Sequence, residues 1–407
     1  MSDTSYFQKG FGLKQAIEGT LRRDYHSALL ASVRAGGSRL EAGGLVIRLA
    51  EELGFCYGVD RAVEYAYETV ERFPGRRIFL VGEIIHNPRV NDRLRGMGIR
   101  FLPDDATGGA SPPDVEASDV VIIPAFGVTV PLMESLRGTG CTLVDTTCGS
   151  VLNVWKNVER FARDGFTSVI HGKYEHEETR ATASRALKHP SGQYLIVRNM
   201  GQTEAVVSYV EKCAGGENRE AFMRRFAGAC SPGFDPDVHL ERLGVANQTT
   251  MLSSESLAIA ERLRAALTAR YGVEGLQARF RSFDTICSAT QDRQDAVLKL
   301  VHEGVDLLLI IGGYNSSNTN HLTSIGEESV PTYHINSAEC IQASAIRHQP
   351  FGRIEEMVTR DWLPPGNLRI GITAGASTPN VMIGEVIEAL LRARGLDPAG
   401  VLPPAAT

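Results

Sequence analysis

Residues 141–179 read CTLVDTTCGSVLNVWKNVERFARDGFTSVIHGKYEHEET, and the fold follows from their pattern. A short β-prone run, Thr142–Asp145, ends in a turn that carries Cys148. An amphipathic stretch, Val151–Arg163, follows at helical spacing. A second apolar run, Thr167–His171, then leads into a polar loop that opens the next helix. Apolar strand, amphipathic helix, apolar strand is the pattern of a βαβ unit with parallel strands.

The same alternation runs outward in both directions. Further strands are expected at Arg77–Val81, Val120–Pro124, Tyr194–Val197, Leu307–Ile311 and Arg369–Thr373. Further helices are expected at Arg61–Arg72, Ser254–Tyr271, Gln291–Glu303 and Pro379–Arg394. This is the signature of an α/β protein with largely parallel sheets. Two other cysteines occupy settings like that of Cys148. Cys56 follows LVIRLAEELGF and Cys287 follows FRSFDTI, and each precedes an amphipathic stretch. One α/β unit used three times is therefore expected. The boundaries are read as an extension at 1–43, helical around Leu13–Ala35, then domains at 44–147 with Cys56, 148–285 with Cys148 and 286–395 with Cys287. Residues 213–242, rich in Gly and charge, read as an insertion or linker. Residues 396–407, rich in Pro and Ala, read as a loose tail.

Composition narrows the class. The chain has 407 residues, 43% of them hydrophobic and 22% charged, which suits a globular protein of two or three domains. Its 42 basic and 48 acidic residues give a net charge of −6 and no basic face for nucleic acid or a membrane surface. No apolar run reaches the roughly 18 residues that span a bilayer, and the N-terminus lacks the apolar core of a secretion signal. A cytoplasmic location is expected. Seven cysteines, an odd number, argue for free, buried or metal-bound thiols rather than a disulfide framework.

Three thiols at three helix starts invite a shared centre. A helix N-terminus stabilises a thiolate, and three thiolates can hold zinc or an iron–sulfur cluster. Three inert buried cysteines are the plain alternative, and no C-x₂-C pair favours zinc. Polar residues also collect beyond the apolar runs, where open α/β sheets bind ligands. They are His86; His176 with Glu177 and Glu178; Gln248 and Thr249; Asn315, Ser316, Ser317 and Asn318; and Ser377 and Thr378. Small hydroxyl and amide residues at helix starts suit an anion such as phosphate, although ordinary N-capping explains any single loop. No P-loop, strand-borne G-x-G-x-x-G or G-x-S-x-G motif is present, so bound nucleotide, nicotinamide or flavin chemistry has no support.

The motifs GFCYGVDRAV, EIIHNPRVNDRLRGMG, LVDTTCGSV, HGKYEHEET, NQTTML, DTICSATQDRQDAV, GGYNSSNTNHL and ITAGASTPN run in order from about Gly44 to Arg394. Together they resemble the 4-hydroxy-3-methylbut-2-enyl diphosphate reductases. QKGFG and PAFG resemble the cyanobacterial and plastid branch, in which the extension belongs to the mature protein. The resemblance implies three α/β domains in a trefoil-like arrangement around a 4Fe–4S cluster. It implies reductive removal of an allylic hydroxyl, giving isopentenyl and dimethylallyl diphosphate, the last step of the methylerythritol phosphate pathway. By motif, Cys56, Cys148 and Cys287 would ligate three irons and leave the fourth open. His86, His176, Ser316, Asn318 and Ser377 would bind the diphosphate, with Ser317 and Thr378 as weaker neighbours. Glu178 would deliver protons and Thr249 would orient the hydroxyl, with Gln248 and Asn315 behind them. The implied partners are the allylic diphosphate and an external electron donor such as ferredoxin or flavodoxin, and a homodimer is an assembly open to it.

Two positions depart from the family pattern. Phe126 stands where many bacterial relatives have a histidine, which removes a diphosphate donor. Gly149 stands where proline is usual after the ligand cysteine, which is expected to loosen that turn. A dehydratase using a cluster only as Lewis acid, and a non-catalytic iron–sulfur sensor, are the competing functions.

Overall fold

Strands that are apolar on both faces need cover on both faces, and helices supply it in a parallel sheet. The runs Val120–Ile123 and Leu307–Ile311 meet that condition, with every residue buried. The computed structural model describes residues 6–103, 114–211, 218–283 and 285–401. The chain forms two compact units. One comprises the described residues of Met1–Lys9, Phe73–Ile84 and Gly98–Cys287; the other comprises those of Gly10–Arg72, Ile85–Met97 and Ser288–Thr407. No helix among the described residues is long and apolar enough to cross a membrane.

The first unit holds two sheets. One runs in the order β1 (Tyr6–Phe7), β7 (Thr142–Asp145), β6 (Val120–Ile123), β4 (Ile78–Val81), β5 (Arg100–Leu102). The other runs β11 (Phe280–Ser282), β10 (Leu243–Asn247), β8 (Thr167–His171), β9 (Gln193–Val197). All neighbours in both are parallel. The second unit holds the sheet β13 (Thr332–Ile335), β12 (Leu307–Ile311), β16 (Leu368–Ala374), β3 (Leu45–Leu49), β2 (Arg39–Ala42), in which only β2 is antiparallel. It also holds a separate antiparallel hairpin of β14 (Ala345–His348) and β15 (Met357–Arg360).

One strand order recurs three times: β7-β6-β4-β5, β11-β10-β8-β9 and β3-β16-β12-β13. In the first two, the strands come from one continuous stretch. In the third, the leading strand comes from near the N-terminus. β3 pairs with β16 from Leu45↔Leu368 to Ile372↔Leu49. The expected first domain at 44–147 is therefore interrupted: the strand before Cys56 belongs to the sheet of the third repeat, and the first sheet is built from 78–145 and β1. Sequence order suggested otherwise because β3 reads alike in either sheet.

Other expectations need adjustment. The helical stretch around Leu13–Ala35 is two helices, Lys14–Tyr25 and Ala28–Ala35, and Ser27 caps the second by accepting from the Leu30 N–H at 3.1 Å. The segment 213–242 is no linker where it is described. Asn218 caps the helix Arg219–Arg225, and Phe222, Phe226 and Phe234 are buried in the core around β8–β10. The Ile196 N–H donates to the Ala229 carbonyl at 2.7 Å, so the segment also covers the outer edge of β9. Cys213 lies outside the described residues. In the tail, the short helix Pro398–Val401 is docked with Pro398 buried.

Candidate functional site

Each candidate ligand cysteine sits in the same local frame. Cys56, Cys148 and Cys287 follow β3, β7 and β11, and helices Tyr57–Arg72, Gly149–Arg163 and Ser288–His302 begin at the next residue. The cysteine N–H is tied each time to a carbonyl beyond the neighbouring strand. Cys56 donates to Ala376 beyond β16 at 3.1 Å, Cys148 to Ala125 beyond β6 at 3.0 Å, and Cys287 to Thr249 beyond β10 at 3.2 Å. None of these cysteines is in a disulfide, and all three are half-buried, whereas Cys141 and Cys340 are buried. Three backbone-anchored, partly accessible thiols at helix starts suit soft iron ligation, so the donor set fits an iron–sulfur cluster. Burial raises the thiol pKa of Cys230 and of Cys141.

The first unit brings an acid and a hydroxyl together. Glu178 lies in the first turn of the helix Glu177–Ala186 and is buried. Its carboxyl accepts from the Thr249 N–H at 2.6 Å and from the Thr249 hydroxyl at 3.0 Å. A carboxyl gripped this way has one orientation, with a hydroxyl beside it that can pass a proton. His176 is the N-cap of that helix, and its Nδ1 accepts from the Glu178 N–H at 3.2 Å. The hydrogen of its imidazole therefore sits on Nε2. Phe126 stands edge-on to the His176 ring, with centroids 5.4 Å apart and planes at 83°. The departure at Phe126 thus supplies a packing wall that fixes a histidine. Gly127 beside it is required: its φ is +73°, and a Cβ there would lie 2.3 Å from the Trp155 ring. Gln248 is occupied as a brace. Its Oε1 accepts from the Lys173 N–H at 3.1 Å and the Thr179 hydroxyl at 3.0 Å, and its Nε2 donates to Thr250 at 2.8 Å.

The second unit gathers anion donors. Ser316 is the N-cap of the helix Ser317–Glu327, and its oxygen accepts from the Thr319 N–H at 3.3 Å and the Thr319 hydroxyl at 2.9 Å, which leaves its own hydrogen to donate. Asn318 Oδ1 accepts from the Ala376 N–H at 3.0 Å, while its Nδ2 is buried without a hydrogen-bond partner, as is Ser317 Oγ. Asn315 Nδ2 donates to His86 Nδ1 at 3.4 Å, so the His86 hydrogen is on Nε2. Ser377 Oγ donates to the His86 carbonyl at 3.2 Å. Gly313 permits that approach, because a Cβ there would lie 2.6 Å from the same carbonyl. Thr378 is spent structurally, since its hydroxyl donates to the Ile311 carbonyl at 2.9 Å. Buried donors without acceptors are costly alone, and a bound anion would satisfy Ser317 and Asn318.

Sequence reading missed a cavity of about 940 Å³ in the second unit. It is lined by Phe55 and Tyr57, which flank Cys56, and by Lys14, Arg22 and Glu18 of the extension, but by none of the strand-end donors. The motif GFCYGVDRAV supplies one wall, but the facing wall comes from the helix Lys14–Tyr25, far away in sequence, so the cavity itself was not legible.

Known proteins resemble this chain over most of its length. The LytB protein family matches residues 47–391. The chain is 47% identical over 405 residues to the 4-hydroxy-3-methylbut-2-enyl diphosphate reductase of Gloeobacter violaceus, covering 98% of this chain and 95% of that protein. It is 49% identical over 389 residues to the protein of that name from Synechococcus sp. strain RCC307, covering 95% and 93%. Among solved structures, an (E)-4-hydroxy-3-methyl-but-2-enyl diphosphate reductase, described as the terminal enzyme of the non-mevalonate pathway, aligns with a TM-score of 0.52 at 29% identity, over 85% of this chain and 99% of that one. The Plasmodium falciparum reductase structure shares the fold at a TM-score of 0.60 and 22% identity, over 85% and 87%. With matches of this extent, the chain belongs to the LytB protein family.

Proposed function

We propose that this chain catalyses the reductive dehydroxylation of 4-hydroxy-3-methylbut-2-enyl diphosphate to isopentenyl and dimethylallyl diphosphate, the last step of the methylerythritol phosphate pathway. The cofactor is a 4Fe–4S cluster ligated by Cys56, Cys148 and Cys287, with one iron left open. The observation that carries the chemistry is the buried Glu178–Thr249 pair.

The reaction replaces a C–OH bond by C–H and consumes two electrons and two protons, releasing water. When bound, the cluster supplies electron transfer and Lewis-acid polarisation of the hydroxyl. The chain supplies the rest. His86, Ser316, Ser317 and Asn318, with His176 Nε2, donate to the diphosphate and hold the substrate in one pose, and Ser377 joins them when its hydroxyl turns from the His86 carbonyl to the anion. The helix start at Ser317 adds a favourable dipole for the anion. Glu178, relayed through the Thr249 hydroxyl, gives a proton to the departing oxygen. A second proton at either end of the allyl system yields the two isomers. Asn315 and Gln248 act behind this layer, orienting His86 and bracing the Thr249 loop, and Thr378 is the weakest of the named binders. Electrons come singly from a small carrier of the ferredoxin or flavodoxin class, in the cytoplasm.

Glu178→Gln keeps an acceptor for the Thr249 N–H but has no transferable proton. Its turnover is expected to fall by about 10²–10⁴-fold at unchanged iron and sulfide content. Anaerobic assay of iron, sulfide and products reads this directly. Wild-type turnover in the variant would sink the proton-donor role, and turnover without any reductant would replace the reductase with a dehydratase.

A further inference from the structure

The extension enters the first unit as a working part. Tyr6 lies in β1, which pairs with β7 at Tyr6↔Leu143 and Phe7↔Val144. Phe7 packs near the Phe73 ring, with centroids 6.3 Å apart, and the Arg137 guanidinium lies 5.0 Å from the Tyr6 ring centre. The Tyr6 hydroxyl donates to Asp145 Oδ2. Burial, followed by the charge of Asp145, raises the Tyr6 phenol well above its ordinary pKa, so it stays a donor.

Asp145 is buried at the end of β7. Its second oxygen, Oδ1, accepts from the Thr147 N–H at 2.9 Å and from the Thr147 hydroxyl. Thr147 is the residue before Cys148. One carboxylate thus joins a strand of the extension to the turn that presents a thiol. Arg185, buried on the helix that carries Glu178, also feels the charge of Asp145. Gly149 leaves the far side of this turn without the rigid backbone that proline gives. The near side is where the restraint lies.

We propose that Tyr6 is a positioning residue for Cys148, acting through Asp145 and Thr147, so that the extension sets the geometry of one cluster ligand. This rests on the reading of Cys148 as an iron ligand. The Tyr6 hydroxyl orients the carboxylate, the carboxylate fixes the Thr147 amide, and Cys148 follows in the chain. Without the hydroxyl, Asp145 can turn towards Arg185 or Arg137 and release the amide.

The test compares Tyr6→Phe with wild type and with Phe7→Leu in the full chain. Phe7→Leu trims β1 packing but leaves the Tyr6 hydroxyl. Hydrogen exchange is read first in cluster-free protein. The Thr147 amide should exchange roughly ten-fold faster in Tyr6→Phe, the scale of losing one hydrogen bond to a charged group. Phe7→Leu should change it much less. In reconstituted protein, Tyr6→Phe should lose iron to a chelator faster and shift the electron paramagnetic resonance of the reduced cluster. Unchanged Thr147 exchange would overturn the link itself. Faster exchange with unaltered chelation rate and spectrum would overturn its action on the ligand. Wild-type protein that takes up no iron would bring down the cluster reading instead, a result the exchange measurement does not share.

Discussion

Gly149 is the first residue of its helix, and a Cβ built on it would meet nothing within 4 Å. Its backbone is not in the left-handed region, and Cys148 before it has φ −61° and ψ 141°, which a following proline accepts. Proline at the first helical position needs no N–H, so Gly149→Pro is expected to stabilise the protein by about 0.4–1 kcal/mol by restricting the unfolded chain. Thermal unfolding of the cluster-free protein measures this, and a lower melting temperature would contradict it. The glycine therefore costs chain entropy without straining the turn. At this scale the sequence was informative about identity and silent about use. Glu178 and Thr249 were both legible as strand-end polar residues, but their mutual hydrogen bonds join positions 71 apart. Phe126 was legible as a lost donor; that its ring would fix the His176 imidazole depends on packing no motif encodes.

Elements bounded by glycine, proline and apolar periodicity read well. Thr142–Asp145, Thr167–His171 and Leu307–Ile311 lie where the pattern put them. The linker reading of 213–242 failed because polarity hid a buried face. The described part of 213–242 is rich in Arg and Glu, yet Phe222 and Phe226 are fully buried and Phe222 stacks against Tyr209 with centroids 4.8 Å apart. One aromatic inside a seven-residue helix and a second four residues on, at its C-cap, make one face, too short a signal to stand out from charge. Phe226→Ala is expected to cost about 3–5 kcal/mol, the scale of removing a buried aromatic. Urea unfolding monitored by circular dichroism would read it, and a loss under 1 kcal/mol, the scale of a surface change, would return the segment to the status of a linker.

Two buried histidines shape the response of the whole molecule to acid. His171 in the first unit bonds Ser256 through Nδ1 at 2.8 Å, and burial lowers its pKa to about 4. His334 in the second unit bonds the Gly312 carbonyl at 3.1 Å, and burial again lowers its pKa to about 4. Unfolded, each would titrate near 6.5. Between those values the unfolded chain holds more protons, so stability is complete above pH 6.5 and is lost as the pH falls towards 4. The loss is on the order of 3 kcal/mol per histidine. Urea midpoints at pH 7, 5.5 and 4.5 should fall in that order, and a midpoint that stays level over this range would contradict the assignment. The threefold use of one strand order was legible from the three cysteine turns, but the borrowing of β3 by the third sheet was not, since its partner lies more than 300 residues away. That borrowing orders events on the ribosome. Of Cys56, Cys148 and Cys287, Cys56 emerges first, yet its anchoring carbonyl, Ala376, is among the last residues made. The turn that presents Cys56 must therefore wait for nearly the whole chain, and a transcript truncated before β16 yields a polypeptide with all three thiols and no finished place for the first of them.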